Sequence, residues 1–263
     1  MKIGIIGSGN MASALLSGFL SSKTAKAEDI YISDTNEFKL SCWKEKGVNC
    51  FNENIPVVSN SDVIIFAVKP GVLPAVLTEI GERKDNKLYL SIAAGFSIER
   101  IEKILGKDSK IIRAMPNTPA LVRCGMTVIS PNKNVTSEDK QLAVKILSSV
   151  GEVAELQEKY INAATALHGS SPAYIYMLID AMADSGVKYG LSKEMSLLLA
   201  AKAVEGSAKM VLNSDEHIMK LKDNVCSPAG TTIEAVMELE KNGFVIDRVL
   251  TDGDWVAIVS KRS

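Results

Sequence analysis

Two stretches of this 263-residue chain have the residue types and spacing to hold an anion. The first is Gly7-Ser8-Gly9-Asn10-Met11-Ala12, directly after the apolar run Lys2–Ile6 and opening the helically spaced Met11–Leu20. Strand, tight turn and helix N-terminus in that order are the context in which a glycine motif grips a dinucleotide. Gly7 permits the turn, Gly9 lets backbone N–H groups approach a diphosphate, and Ala12, in the third glycine's place, lets the helix pack on the strand. Gly7, Gly9, Asn10 and Met11 are therefore the expected diphosphate contacts, and the helix terminus adds about 0.3–1 kcal/mol. The alternative is a glycine-rich turn with no ligand. The second stretch is Val225-Cys226-Ser227-Pro228-Ala229-Gly230-Thr231-Thr232, a Pro/Gly loop that feeds a helix. Such a loop makes a nest of N–H donors sized for a carboxylate. A plainer reading is a capping box of Thr231 and Glu234 with Gly243 ending the helix, and both can hold at once.

Three more loops follow strand-like runs, where open α/β sheets bind ligands. Ala67-Val68-Lys69-Pro70 and Ala93-Ala94-Gly95-Phe96-Ser97 have small residues suited to a flat nicotinamide or a ribose. Lys69-Pro70 equally suits an ordinary helix start, and Ser97 suits an N-cap for Ile98–Leu105. The third loop is Ser33-Asp34-Thr35-Asn36. A carboxylate at Asp34 would accept the ribose hydroxyls of NAD and repel a 2′-phosphate, unless it points into solvent. Ser33, Thr35 and Asn36 could donate to a 2′-phosphate, with no arginine beside them. NADPH and NADH both stay open.

These loops need a scaffold, and the first half alternates to supply one. Strand-like runs at Lys2–Ile6, Ile30–Ser33, Val63–Val68, Leu88–Ile92 and Lys110–Ala114 are separated by helical spacing at Met11–Leu20, Glu37–Lys46, Leu73–Ile80 and Ile98–Leu105. Short aliphatic runs bounded by Gly, Asn and Pro are what strands buried on both faces look like. Met126–Ile129 and Glu152–Leu156 add two strands, with a helix opening near Thr136-Ser137-Glu138. Beyond about Tyr160 the pattern predicts helices only: Ala173–Val187, Lys193–Leu212, Thr231–Lys241 and Asp247–Val259. Ala173–Val187 is apolar on nearly every face, more than about 100 residues can bury alone, which predicts an intertwined dimer. The fold class expected is an α/β Rossmann-type N-terminal domain over residues 1–160, then an all-α dimerisation and substrate-binding domain over 161–263.

Composition narrows the classes. Lys+Arg 30 against Asp+Glu 31 argues against a basic nucleic-acid binder. The longest apolar run, Ala173–Ile179, is far too short for a membrane span. No secretory signal precedes the first strand, and Cys42, Cys50, Cys124 and Cys226 with two histidines make a poor metal set. A reduced, cytoplasmic protein without a metal is expected.

The chain resembles pyrroline-5-carboxylate reductase along essentially its whole length. The matching stretches are Gly7–Ala12, Ala67–Pro70, Ser91–Gly95, Arg113-Ala114-Met115-Pro116-Asn117-Thr118-Pro119, Gly169-Ser170-Ser171-Pro172-Ala173-Tyr174 and Val225–Thr232 with Ile233-Glu234-Ala235. The Met-Pro-Asn-Thr-Pro and Ser-Pro-Ala-Gly-Thr-Thr stretches are the specific ones. The resemblance implies reduction of 1-pyrroline-5-carboxylate to proline with NAD(P)H, in dimers that often build a larger ring. It implies that backbone donors of Ser227, Ala229, Gly230 and Thr231 hold the substrate carboxylate, that Val225 lines the ring, and that Thr232 stands near the ring nitrogen. It places Ser33, Asp34 and Asn54 at the adenine ribose, and the cofactor against Ala67, Val68, Lys69, Pro70, Ala93 and Gly95. Ser171 and Ala229 stand where glycine is common, and Ser33–Asn36 lacks the arginine of many members.

Reducing a cyclic imine needs a hydride donor, orientation and a proton on nitrogen. The imine arrives partly protonated, so positioning does most of the catalysis and Thr232 is the expected hydrogen-bonding residue at nitrogen. His168 and His217 read as surface or helix-end residues. Two rivals remain: a β-hydroxyacid dehydrogenase using Lys188 or Lys202, and a non-catalytic dinucleotide sensor.

Overall fold

The computed structural model describes residues 1–82 and 85–244, with the backbone of 246–252 and 255–260. The chain divides into two compact units with main spans Met1–Gly169 and Ser170–Asp252. In the first unit β1 (Ile3–Ile6), α1 (Asn10–Ser21), β2 (Ile30–Ser33), α2 (Glu37–Lys44), β3 (Asn49–Phe51), α3 (Asn54–Asn60), β4 (Val63–Phe66) and α4 (Leu73–Ile80) lead to β5 (Leu88–Ser91). Then come α5 (Ile98–Leu105), β6 (Lys110–Met115), β7 (Gly125–Pro131), α6 (Ser137–Leu147), β8 (Gly151–Glu155) and the short α7 (Ile161–Ala164).

The eight strands form one sheet in the order β3-β2-β1-β4-β5-β6-β7-β8. All neighbours pair parallel except β6 and β7, which are antiparallel, with Arg113 opposite Ser130. Successive strand residues feed opposite faces, as the two-residue period requires. Ile3, Ile5, Val63, Ile65, Leu88 and Leu90 join one buried cluster with Leu15, Leu16 and Phe19 of α1. Ile64, Phe66, Tyr89 and Ile111 join the other with Val57, Leu77 and Ile101. Strand order reverses between β1 and β4, and a crevice opens at their carboxyl ends.

The second unit holds α8 (Ser171–Lys188), α9 (Lys193–Leu212), α10 (Ile218–Val225) and α11 (Thr231–Lys241). Gly186 brings α8 against α9: a Cβ there would lie 2.5 Å from Ser196 Oγ. Asn242 caps α11, and the Gly243 and Phe244 N–H groups close it onto Glu240 and Leu239 with Gly243 at φ 74°. The helix expected over Asp247–Val259 is instead β9 (Ile246–Asp252) and β10 (Trp255–Ser260), a two-stranded sheet, with 253 and 254 outside the described residues. The β-branched Ile246, Val249, Thr251, Val256, Ile258 and Val259 favour that outcome. Among the described residues no helix is long and apolar enough to cross a membrane, and no His, Cys, Asp and Glu group could hold a metal ion.

Candidate active site

Gly7 takes φ 100°, a conformation closed to side chains, and its N–H donates to Ser33 O at 2.8 Å. The turn is thereby tied to the end of β2 and pressed against β4, where a Cβ on Gly7 would lie 2.7 Å from Ala67 O. Gly9 caps α1 without a side-chain bond, and nothing lies within 4 Å of where its Cβ would be. The first intrahelical bond runs from Ser13 N–H to Gly9 O, so the N–H groups of Asn10, Met11 and Ala12 are left without helical acceptors. A cradle without a side chain, floored by unpaired donors, fits a diphosphate.

A cleft of about 340 Å3 opens here, bringing together Gly7, Gly9, Ser33, Asp34, Asn54, Ala67, Val68 and Lys69. Pro70 follows Lys69 on the exposed rim. It does not begin α4: the second position of that helix is Pro74, after a turn in which Val72 N–H donates to Lys69 O. Ala93 is buried beyond β5, and Gly95 takes φ 67° in the next loop. Ser97 caps α5 by accepting the Arg100 N–H.

Asp34 does not point into solvent. Its Oδ2 accepts the Ser8 N–H at 2.8 Å and the Ser8 hydroxyl at 2.7 Å, while Oδ1 accepts the Asn36 N–H. Burial works against the charged carboxylate; the bonds from Ser8 and Asn36 and the Lys39 charge outweigh it and hold its pKa below the ordinary value. Ser8 and Lys39 were not singled out by the sequence, although a hydroxyl between two turn glycines is a natural partner for a carboxylate at the next strand's end.

In the second unit, Val225 is the exposed last residue of α10, followed by Cys226. Ser227, Pro228, Ala229 and Gly230 form a tight turn closed by Gly230 N–H to Ser227 O at 3.0 Å. Ala229 has φ 54°, a position where glycine is the usual residue, so the loop stores backbone strain of about 1 kcal/mol. The capping box of Thr231 and Glu234 is not formed: Gly230 is the N-cap of α11 and no side chain caps it. Helix geometry therefore leaves the N–H groups of Thr231, Thr232 and Ile233 as the spare donors, while that of Gly230 is committed to the turn.

The Met-Pro-Asn-Thr-Pro stretch holds structure together. Asn117 Oδ1 accepts the Met126 N–H at 2.8 Å and its Nδ2 donates to His168 O at 3.0 Å. The His168 ring nitrogens face Met115 O and Ala164 O, and His217 caps α10 by accepting the Met219 N–H. Both histidines are thus engaged by backbone.

A glycine turn at the switch point of a parallel sheet, joined in one chain to a helical unit with an uncapped helix start, defines a two-part dinucleotide-dependent oxidoreductase. A family model described as pyrroline-5-carboxylate reductase dimerisation matches residues 158–248, and one described as NADP oxidoreductase coenzyme F420-dependent matches residues 2–95. The chain is 44% identical over 245 residues to pyrroline-5-carboxylate reductase of Escherichia coli, covering 92% of this chain and 91% of that protein. It is 43% identical over 250 residues to pyrroline-5-carboxylate reductase 2 of Macaca fascicularis, covering 93% and 78%. The Plasmodium falciparum pyrroline carboxylate reductase, solved with NADP bound, superposes with a TM-score of 0.85 at 38% identity, covering 93% and 91%. The chain belongs to the pyrroline-5-carboxylate reductase family.

Proposed function

We propose that this protein reduces 1-pyrroline-5-carboxylate to L-proline with NADPH or NADH, the last step of proline biosynthesis. The observation that carries this reading is a pair of uncapped helix starts, at α1 and at α11, on a chain of this family. When bound, the reduced nicotinamide supplies a hydride to the imine carbon. Asn10 and Met11, with Gly7 and Gly9 giving clearance, hold the diphosphate; Ser33, Asp34 and Asn54 face the adenine ribose. Ala67, Val68, Lys69, Pro70, Ala93 and Gly95 form the loops toward the nicotinamide.

The division of labour is a dinucleotide-binding domain over residues 1–160 and a substrate-binding, dimerising domain over 161–263. In the latter, the turn of Ser227, Ala229 and Gly230 presents the Thr231 and Thr232 N–H groups to the substrate carboxylate, and Val225 borders the ring. The Thr232 hydroxyl hydrogen-bonds the ring nitrogen, as donor or acceptor and not as a formal acid. A strong acid is not required, because the imine is partly protonated in water and both histidines are engaged elsewhere.

Absorbance of NADH and NADPH on addition of racemic pyrroline-5-carboxylate tests the reading. Thr232→Ala is expected to lower kcat/KM by about tenfold, the worth of one charge-assisted hydrogen bond, and Ser170→Ala by much less. Equal, negligible losses remove Thr232 from the mechanism, and no consumption of either cofactor overturns the function. The hydroxyacid dehydrogenase reading finds no support: Lys202 is paired with Glu205 at 2.7 Å, and Lys188 ends α8 over the Tyr189 ring.

The same reading makes the protein a cytoplasmic homodimer, assembled further into a ring, with neither nucleic acid nor membrane as partner. Tyr176, Met177, Leu198, Leu199 and Leu212 are exposed apolar side chains on α8 and α9, which a second copy of the chain would cover. Light scattering at micromolar concentration is expected to give an even multiple of the 28.3 kDa chain, and a monomer overturns the assembly.

A further inference from the structure

A cavity of about 710 Å3 lies within the first unit toward the β8 edge of the sheet, and it shares no lining residue with the dinucleotide cleft. That volume is in the range that holds a small molecule. Ile98 at the start of α5, Pro131 at the end of β7 and Leu156 just past β8 give it apolar walls. Its polar lining is Ser130, Asn132, Glu155, Gln157 and Glu158. Asn132 is spent on the fold: its Oδ1 accepts the Ile111 and Asn134 N–H groups, and its Nδ2 donates to Glu102 and to Ser109 O. Ser130 is not. It is 3% exposed, yet its hydroxyl has no partner among the described residues. A hydroxyl withdrawn from bulk water and left unpaired on a cavity wall points to something that fills the cavity.

Charge says what that is. The lining holds two carboxylates and no cation. The cations nearby are already engaged outside it. Glu158 Oε1 takes Arg113 at 3.1 Å and the Ile98 N–H at 2.8 Å, Glu155 Oε2 takes Lys140 at 2.9 Å, and Lys159 lies over the Tyr160 ring. Each glutamate keeps one oxygen without a partner among the described residues, Oε2 of Glu158 and Oε1 of Glu155. We propose that this cavity binds a small organic ammonium ion, its charged head on Glu158, Glu155 and Ser130 and its carbon body against Ile98, Pro131 and Leu156. An ammonium only donates, and a carboxylate only accepts. A carboxylate or phosphate ligand would instead bring acceptors and negative charge to two carboxylates.

Calorimetric titration of the full chain with butylamine and 1,4-diaminobutane, and with sodium butyrate as the probe of opposite charge, tests it. Both amines are expected to bind with Kd below about 1 mM at low salt, more weakly as salt is raised, and butyrate at least about tenfold more weakly than either. Ser130→Ala removes one buried hydrogen bond and should weaken the amines about fivefold. Glu155→Gln, on an exposed side chain that leaves the core intact, should weaken them about threefold, the smaller effect of a charge that water screens. Glu152→Gln is the control: Glu152 is an exposed acid on the same strand outside the cavity, and its loss should change amine affinity less than about 1.5-fold. No amine binding up to about 10 mM overturns the site. Butyrate binding as tightly as butylamine overturns the ammonium assignment. Glu152→Gln weakening the amines as much as Glu155→Gln, or both Ser130→Ala and Glu155→Gln leaving them unchanged, shows general attraction to an acidic surface and overturns the proposal.

Discussion

Replacing Gly7 by alanine is expected to abolish binding of reduced dinucleotide and to lower the melting temperature of the first unit by about 6–12 °C. The conformation at φ 100° costs an L-residue about 1–2 kcal/mol before any contact is counted. The new Cβ would also lie 2.7 Å from Ala67 O and 2.9 Å from Ala67 C, both backbone atoms. They have little room to retreat, because the Ala67 N–H is bonded to Ile6 O at 2.8 Å within the sheet. Together these effects amount to about 3 kcal/mol, which in a unit of this size converts at roughly 2–4 °C per kcal/mol. Gly9→Ala is the matched control. Its φ of −71° is open to any residue and its Cβ meets nothing within 4 Å, so the melting temperature should stay within about 2 °C. The methyl group would occupy the space above the α1 donors, and cofactor affinity should fall about a hundredfold. Thermal melts with fluorescence titrations separate the two. If Gly9→Ala binds NADH and NADPH like the native protein, the diphosphate does not sit at this turn.

That contrast shows what local pattern encodes and what it leaves out. Ile30–Ser33, Leu73–Ile80 and Ile98–Leu105 are the elements their sequences predict, because aliphatic runs and capping residues are local signals. The strand Asn49–Phe51 escapes notice because it has three half-buried residues and begins with Asn, and the helix Asn54–Asn60 carries a proline at its third position. The helix Ile218–Val225 escapes because Lys220, Lys222, Asp223 and Asn224 dilute its apolar spacing. The glycine turn and the place where α11 starts were legible, since turn and helix N-terminus are adjacent in sequence; that no side chain caps that start was not. The hydrogen bonds that tune the cleft were not. Ser8 meets Asp34 across 26 residues because β1 and β2 are neighbours in the sheet, and Asn54 meets Glu79 across 25 because α3 packs against α4.

Glu158→Ala should be the most damaging change to a side chain that touches neither anion socket. Arg113 on β6 is 6% exposed, and its guanidinium is always charged. Its Nη1 meets Glu158 Oε1 at 3.1 Å, its Nη2 meets Asn162 Oδ1 at 3.1 Å, and its Nε has no partner. Glu158 is thus the counter-ion, and its Oε1 also accepts the Ile98 N–H at 2.8 Å at the start of α5. Removing it strands a buried cation and an unpaired helix donor together, a loss of about 2–4 kcal/mol once partial exposure of Glu158 is allowed for. The melting temperature should fall by about 4–16 °C. Glu158→Gln keeps an acceptor for both donors but not the charge, and should lose about half as much. Replacing both partners, Arg113→Met with Glu158→Leu, removes the stranded charge and should cost less than Glu158→Ala alone. Because Ile98 directly follows the loop of Ala93, Gly95 and Ser97, Glu158→Ala should also weaken NADH binding, which Gln at the same position should largely restore. A melt of Glu158→Ala within about 2 °C of the native protein would show that Arg113 needs no counter-ion in the sheet.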